Sequence, residues 1–172
     1  MKYNPEIHHR RSIRLKEYNY SQNGAYFITI CAYNRKCLFG EIVHDVMVLN
    51  NVGLLVRDEW IKSFDIRAEI EMDEYIIMPN HLHGIVFINN WFDVKKGDRP
   101  VAPTGKSIGS FIAGFKSTVT KQINEIHKTY GTPFWQRNYY EHIIRNEKSL
   151  EQIREYVVNN PQTWQKDKLY TV

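Results

Sequence analysis

The sequence predicts an α+β domain in which helices pack on an antiparallel sheet. Three observations lead there. Short aromatic and β-branched runs recur, and one adjacent pair is joined by a turn signal, as in a hairpin. Longer stretches between the runs carry apolar residues at helical spacing, with cap and stop residues at their ends. No internal repeat or linker interrupts the order β-β-α-β-β-α-β-α, so one layered domain is expected.

Residues 1–22 are polar and basic and read as an N-terminal extension, with the domain over 23–164 and a tail at 165–172. AYFITICAY (25–33) is strand-like, and NRKCLFGEI follows as a turn and a short second strand that Gly40 breaks. In MVLNNVGLLVRDEWIKS (47–63), Val48, Val52, Leu55 and Trp60 fall near one helical face, which predicts an amphipathic helix. IRAEIEMDEYIIMP (66–79) reads as one long strand, or two joined by a bend. Pro79-Asn80 is a turn, and HLHGIVFI (81–88) returns, so 70–88 is expected to form an antiparallel hairpin. Residues 89–106 are loop-like. A helix is expected over 107–131, with Ser107 as cap and Gly131 as stop. FWQRNYYEHII (134–144) is strand-like, and a last helix runs through 146–161, capped by Asn146 and ended by Pro161.

The bulk numbers suit one domain. The chain has 172 residues, 42% of them hydrophobic, enough for a core without disulfide or metal staples. Lys and Arg number 23 against 19 acids, a net +4 that favours a polyanionic partner only slightly. The basic residues concentrate in HHRRSIRLK (8–16), which suits a phosphate backbone or a solvated tail equally. The two cysteines, Cys31 and Cys37, make no disulfide framework, and a reducing cytoplasm is the expected compartment. No signal sequence and no membrane span is expected.

Three constellations carry chemistry. Strand alternation puts His81 and His83 side by side on one face, with Leu82 in the core behind them. Such a pair suits one divalent metal, or it is simply two surface histidines on a half-exposed strand. On the last helix Tyr156 and Asn160 lie one turn apart, at the edge of the stripe formed by Leu150, Ile153 and Val157. The phenol either stands over a pocket or belongs to an ordinary core tyrosine. In residues 134–145, Arg137, His142 and Arg145 are interleaved with Phe134, Trp135, Tyr139 and Tyr140. That mixture suits single-stranded nucleic acid, as well as a plain aromatic strand with exposed charges. Lys106, Lys116 and Lys121 offer further phosphate contacts, or simply a solvated helix face.

YIIMPNHLHGIVFI, followed by FWQRNYYEHIIRNEKSLEQIREYVVNNP, resembles the single-tyrosine HUH transposases, most closely the REP-associated tyrosine transposase branch. RRSIRLKEYNYSQNGAYFITICAYNRKCLFGEI resembles the same branch, so the likeness runs from about residue 10 to 164. It implies a ferredoxin-like sandwich. It also implies His81 and His83 as ligands of Mg²⁺ or Mn²⁺, Tyr156 of YVVNNP as nucleophile, and Asn160 as a residue that completes or supports the metal site. Two His plus an oxygen donor would also suit Zn²⁺ or Ni²⁺. The implied activity nicks and rejoins single-stranded or hairpin DNA through a covalent 5′-phosphotyrosine. Arg10, Arg11, Arg14, Lys16, Lys116, Arg137 and Arg145 are the expected DNA contacts. Monomer and homodimer both fit. Tyr139 and Tyr140 rank below Tyr156 as nucleophiles, because they lie in a strand-like segment. A non-catalytic nucleic-acid-binding module and a small metal-dependent hydrolase are the rival readings.

Overall fold

A computed structural model describes residues 23–89 and 107–171. The basic block with Arg10, Arg11, Arg14 and Lys16, most of the stretch at 89–106 expected to be a loop, and Lys106 lie outside the described residues. The elements are β1 (Gly24–Cys31), β2 (Gly40–Val43), β3 (Val46–Leu49), α1 (Asn51–Ile66), β4 (Ile70–Met78), β5 (His81–Ile88), α2 (Ile108–His127), β6 (Tyr140–Ile144) and α3 (Glu147–Asn159). A 3-10 helix, Pro161–Lys166, follows.

The main sheet runs β4-β5-β1-β6, antiparallel throughout, which is the ferredoxin-like order for a β-α-β-β-α-β core. β2 and β3 form a separate hairpin inserted after β1. Alternation along the strands splits the side chains between two faces. Tyr26, Ile28, Ile30, Leu82 and Val86 join Trp60 of α1 and Phe111, Phe115 and Val119 of α2 in the larger core. Ala25, Phe27, Ile85 and Ile144 face the other way, against Leu150 and Val157 of α3.

Gly84 marks the closest approach between sheet and helix. A Cβ there would meet Trp60 Cζ2 at 2.6 Å, and Trp60 is fully buried. Gly84→Ala is therefore expected to destabilise the fold by about 2–3 kcal/mol through overpacking. Chemical denaturation checks it, with a lower midpoint expected at unchanged slope.

Four element readings need correction. Val46–Leu49 is a strand, so the expected helix at 47–63 begins instead at Asn51, and Val48 lies on β3. The hairpin was hidden because its two-residue turn, His44-Asp45, takes positive φ (49° and 60°) without a glycine to signal it. Asn50 then caps α1 by accepting from Gly53 N at 2.9 Å. The order thus has one strand more than expected, and Gly40 opens β2 where it was expected to break it. The helix at 107–131 has the expected Ser107 capping box but ends at His127, where Lys128 turns left-handed ahead of Gly131. Of 134–144, only 140–144 is a continuous strand, with an isolated bridge from Trp135 to Ala32 before it. Lys116 explains the gap, since its ammonium donates to the carbonyls of Gln136 (2.5 Å), Arg137 (3.1 Å) and Asn138 (3.4 Å). The reading of 66–79 resolves into one strand with a register irregularity between Met72 and Tyr75.

Candidate metal centre and nucleophile

His81 and His83 project from β5 toward the α3 side, one strand repeat apart, with ring centroids 4.4 Å from each other. Both are buried, so the surface-histidine alternative does not hold. Each ring is fixed by a neighbour. Thr29 on β1 pairs directly with His83, and its Oγ1 lies 2.8 Å from His83 Nδ1. Asn80 Nδ2 donates to the carbonyls of Arg35 (3.1 Å) and Leu169 (2.8 Å) and to Thr171 Oγ1 (3.1 Å). That orients the Asn80 amide, so its Oδ1 accepts from His81 Nδ1–H at 2.8 Å. The His81 proton is thereby placed on Nδ1, and the Nε2 lone pair is left bare. His81 Nε2 is buried and has no hydrogen-bond partner.

A second buried atom without a hydrogen-bond partner is Asn160 Oδ1. Asn160 sits at the end of α3, fully buried, and its Nδ2 donates to Asp167 Oδ2 at 3.1 Å. Asp167 follows the 3-10 helix and closes the group, with ligand atoms of His81, His83 and Asp167 all within 4.8 Å of one another. Two neutral imidazole nitrogens, a carboxylate and an unpartnered amide oxygen make a donor set that fits a divalent cation.

Tyr156 stands over this group. Its hydroxyl lies 3.2 Å from His83 Nε2 and donates to Asp167 Oδ2 at 3.2 Å. The ring leans on Phe27 (6.0 Å between centroids) and His83 (5.3 Å), and the side chain is 43% exposed. It lines a cleft of about 360 Å³ with Thr163, Lys166, Asp167 and Lys168. The helix is anchored two residues earlier, where Arg154 grips both carboxylate oxygens of Asp73 on β4, at 3.0 and 2.6 Å.

Burial sets the electrostatics. It lowers His81 to about 3 and holds His83 well below its ordinary value, with His81 adding to the effect on His83 and Asp167 opposing it. Burial, then the Asp167 carboxylate, push Tyr156 up to about 12. The sign for stability follows. Both folded histidines titrate below the ordinary 6.5, so their neutral-form stability is complete above 6.5 and is lost as pH falls, toward about 3 for His81. Metal-free protein in chelator should therefore lose stability steadily as pH falls below 6.5. Thermal unfolding against pH reads it, and a flat profile between 6.5 and 4.5 would contradict the burial argument.

The structure gathers His81, His83, Tyr156 and Asn160 into one site. It does not bring Lys116 there, since that ammonium is bonded to the three carbonyls named above. Arg137 and Arg145 are exposed and stand apart from the cleft. Tyr139 donates to Glu141 at 2.8 Å, and Tyr140 is exposed on β6. Sequence reading missed Asp167, which lay in the expected tail, and also missed Thr29. Asn80 was noted only for its turn. A lone acid in QKDKLY carries no spacing signal, and only the fold of 161–167 brings it to the histidines.

The fold is a ferredoxin-like sheet that carries two buried histidines on one strand, with the helix bearing Tyr156 across them. It matches a solved REP-associated tyrosine transposase bound to a REP hairpin, with TM-score 0.54 and 20% identity over 88% of this chain and 74% of that one. The chain belongs to the same family as an uncharacterised protein of Haemophilus influenzae, 46% identical over 177 residues, 98% of this chain and 97% of that one. No protein-family profile matches the chain. Among the described residues, no helix is long and apolar enough to cross a membrane.

Proposed function

We propose that the protein nicks and rejoins single-stranded or hairpin DNA through a covalent bond between Tyr156 and a 5′-phosphate. The observation that carries the reading is the Tyr156 hydroxyl, 3.2 Å from His83 Nε2 and from Asp167 Oδ2, in a site where His81 Nε2 and Asn160 Oδ1 are buried without a hydrogen-bond partner. A plain core tyrosine explains neither the orphans nor the carboxylate. The solved neighbour was determined with a REP hairpin bound, which supports a hairpin substrate.

His81, His83 and Asp167 would hold Mg²⁺ or Mn²⁺, with Asn160 Oδ1 as a further oxygen donor. The bound cation would supply positive charge against the scissile phosphate and offset the influence of Asp167 on the phenol. The remaining steps belong to the chain. Phe27 and the Arg154–Asp73 pair position the Tyr156 ring. Its O–H is directed at Asp167 Oδ2, which can take the proton as Oη closes on phosphorus. The Oη–P bond forms, the P–O3′ bond breaks, and the leaving 3′-oxygen takes up a proton, equal to the one Asp167 accepted, to become a 3′-OH; the reverse attack by a 3′-OH rejoins a strand. Lys166 and Lys168 border the cleft and can face phosphate oxygens. Arg10, Arg11, Arg14, Lys16, Arg137 and Arg145 are proposed contacts to DNA beyond the cleft. The reading takes the tyrosine and the histidines from one chain, since Tyr156 Oη lies 3.2 Å from His83 Nε2 within it.

The test is a labelled hairpin with a single-stranded flank, incubated with Mn²⁺ and run on a denaturing gel. A covalent protein–DNA band is expected. Cleavage without that band favours the hydrolase, and binding without cleavage favours the non-catalytic module.

A further inference from the structure

The segment that carries Asp167 is tied to the histidine strand by one side chain, Asn80. We propose that Asn80 is a positioning residue that joins the two halves of the candidate metal centre. Its amide oxygen fixes His81, and its amide nitrogen docks residues 167–171, so the Asp167 carboxylate faces the histidines only while that segment is docked. The proposal rests on the metal-centre reading above and deepens it.

Geometry is the first argument. Asn80 lies in the turn between β4 and β5 and is fully buried. Its backbone is held, since Ala32 N donates to Asn80 O at 2.8 Å and Phe39 N to Pro79 O at 3.0 Å. A carboxamide offers one acceptor oxygen and two hydrogens. The oxygen takes the His81 Nδ1 proton at 2.8 Å. The nitrogen donates to Leu169 O at 2.8 Å and to Arg35 O and Thr171 Oγ1, both at 3.1 Å. Thr171 Oγ1 in turn donates to Arg35 O at 3.1 Å. An asparagine that merely closed its own turn would bond to neighbouring backbone. These partners lie 45, 89 and 91 positions away in the chain.

The aim of the carboxylate is the second. Leu169 N donates to Asp167 Oδ1 at 2.6 Å, and Tyr170 N donates to Asp167 O at 3.0 Å. With Oδ1 held there, Oδ2 is the oxygen that meets Tyr156 and Asn160, at 3.2 and 3.1 Å. Leu169 thus receives Asn80 at its carbonyl and aims Asp167 with its N–H.

Thin packing is the third. Lys168 and Tyr170 are exposed, and Leu169 and Thr171 are only half-buried. Tyr170 rests on Trp164, 5.2 Å between centroids, and Cys37 Sγ adds a weak contact to Thr171 Oγ1 at 3.6 Å. A segment that buries so little apolar surface opens readily, and the buried amide is what opposes the opening.

The test uses the full chain and two variants. Hydrogen–deuterium exchange in chelator, read by mass spectrometry, follows the peptide covering 167–171, and imidazole ¹⁵N shifts follow the His81 tautomer. Asn80→Asp keeps the acceptor for His81 and loses the donor for Leu169; Asn80→Ala loses both. Each variant should speed exchange of the segment about 10-fold or more, the scale of one lost hydrogen bond, with α1 and α2 exchanging as in wild type. His81 should keep its Nδ1 proton in Asn80→Asp and become a mixture of tautomers in Asn80→Ala. By titration calorimetry, Mn²⁺ affinity should fall about 10-fold or more in Asn80→Ala, as when a ligand loses the partner that orients it. Should one variant fail to fold, the other carries the exchange comparison. Unchanged exchange of the segment, or acceleration spread evenly over α1 and α2, overturns the proposal. If Asn80→Ala binds Mn²⁺ as tightly as wild type, the metal reading stands and the joint falls. If wild type binds no Mn²⁺ while both variants free the segment, the joint stands and the metal reading falls.

Discussion

Tyr156→Phe is expected to abolish the covalent DNA adduct, a loss of about 10⁴-fold or more, with the fold and hairpin affinity kept. The ring contacts with Phe27 and His83 survive the change, since they are made by carbon edges. Only the hydroxyl goes, and its two hydrogen bonds are long, at 3.2 Å each. The side chain is 43% exposed, so removing the oxygen leaves no buried cavity. Activity and stability are thus separable at this residue. Adduct yield by denaturing gel, hairpin affinity by anisotropy and melting temperature together read the separation. Residual adduct in Tyr156→Phe would shift the nucleophile to another residue. Tyr140, exposed on β6 and 6.4 Å from Phe27 between ring centroids, would be examined next.

His81→Ala is expected to give the second largest effect, with Mn²⁺ affinity and adduct yield falling more than about 100-fold. His81 offers a neutral Nε2 whose proton inventory is settled by Asn80, so nothing must be displaced before a cation binds. Removing it takes away that lone pair and also orphans Asn80 Oδ1. Asn160→Ala should cost less, about 10-fold, because its amide supports Asp167 from one side while its oxygen adds one weak donor. Titration calorimetry with Mn²⁺, alongside the adduct assay, orders the two. Equal losses, with circular dichroism unchanged, would raise Asn160 to an essential ligand. Undiminished Mn²⁺ binding in His81→Ala would remove the cation from this cavity altogether.

Much of this site was legible because its parts obey local periodicity. Alternation alone put His81 and His83 on one face with Leu82 behind them, and the structure keeps that arrangement. Helical spacing alone put Tyr156 and Asn160 one turn apart at the edge of the packed stripe. Ser107 and Asn146 cap helices where their side chains predicted it. The errors fall where local signals compete. Val48, Val52 and Leu55 can be read as a helical face, but β3 ends at Leu49, and a turn without glycine gave no warning of the hairpin. FWQRNYY has strand composition, yet Lys116 takes the carbonyls of 136–138 from another part of the chain.

The sequence by itself determined the sheet-and-helix class, the paired imidazoles and the tyrosine beside its asparagine, because each depends on spacings of two to four residues. Only the tertiary structure decided that these two pairs meet. It did so by packing α3 across β5 through Leu150 and Val157, tied down by Arg154 on Asp73. It alone also delivered Asp167 to the histidines, through a 3-10 turn that no periodicity announces. Contacts that span 73 residues, as between His83 and Tyr156, are fixed by which apolar faces bury each other, and that is a property of the folded chain.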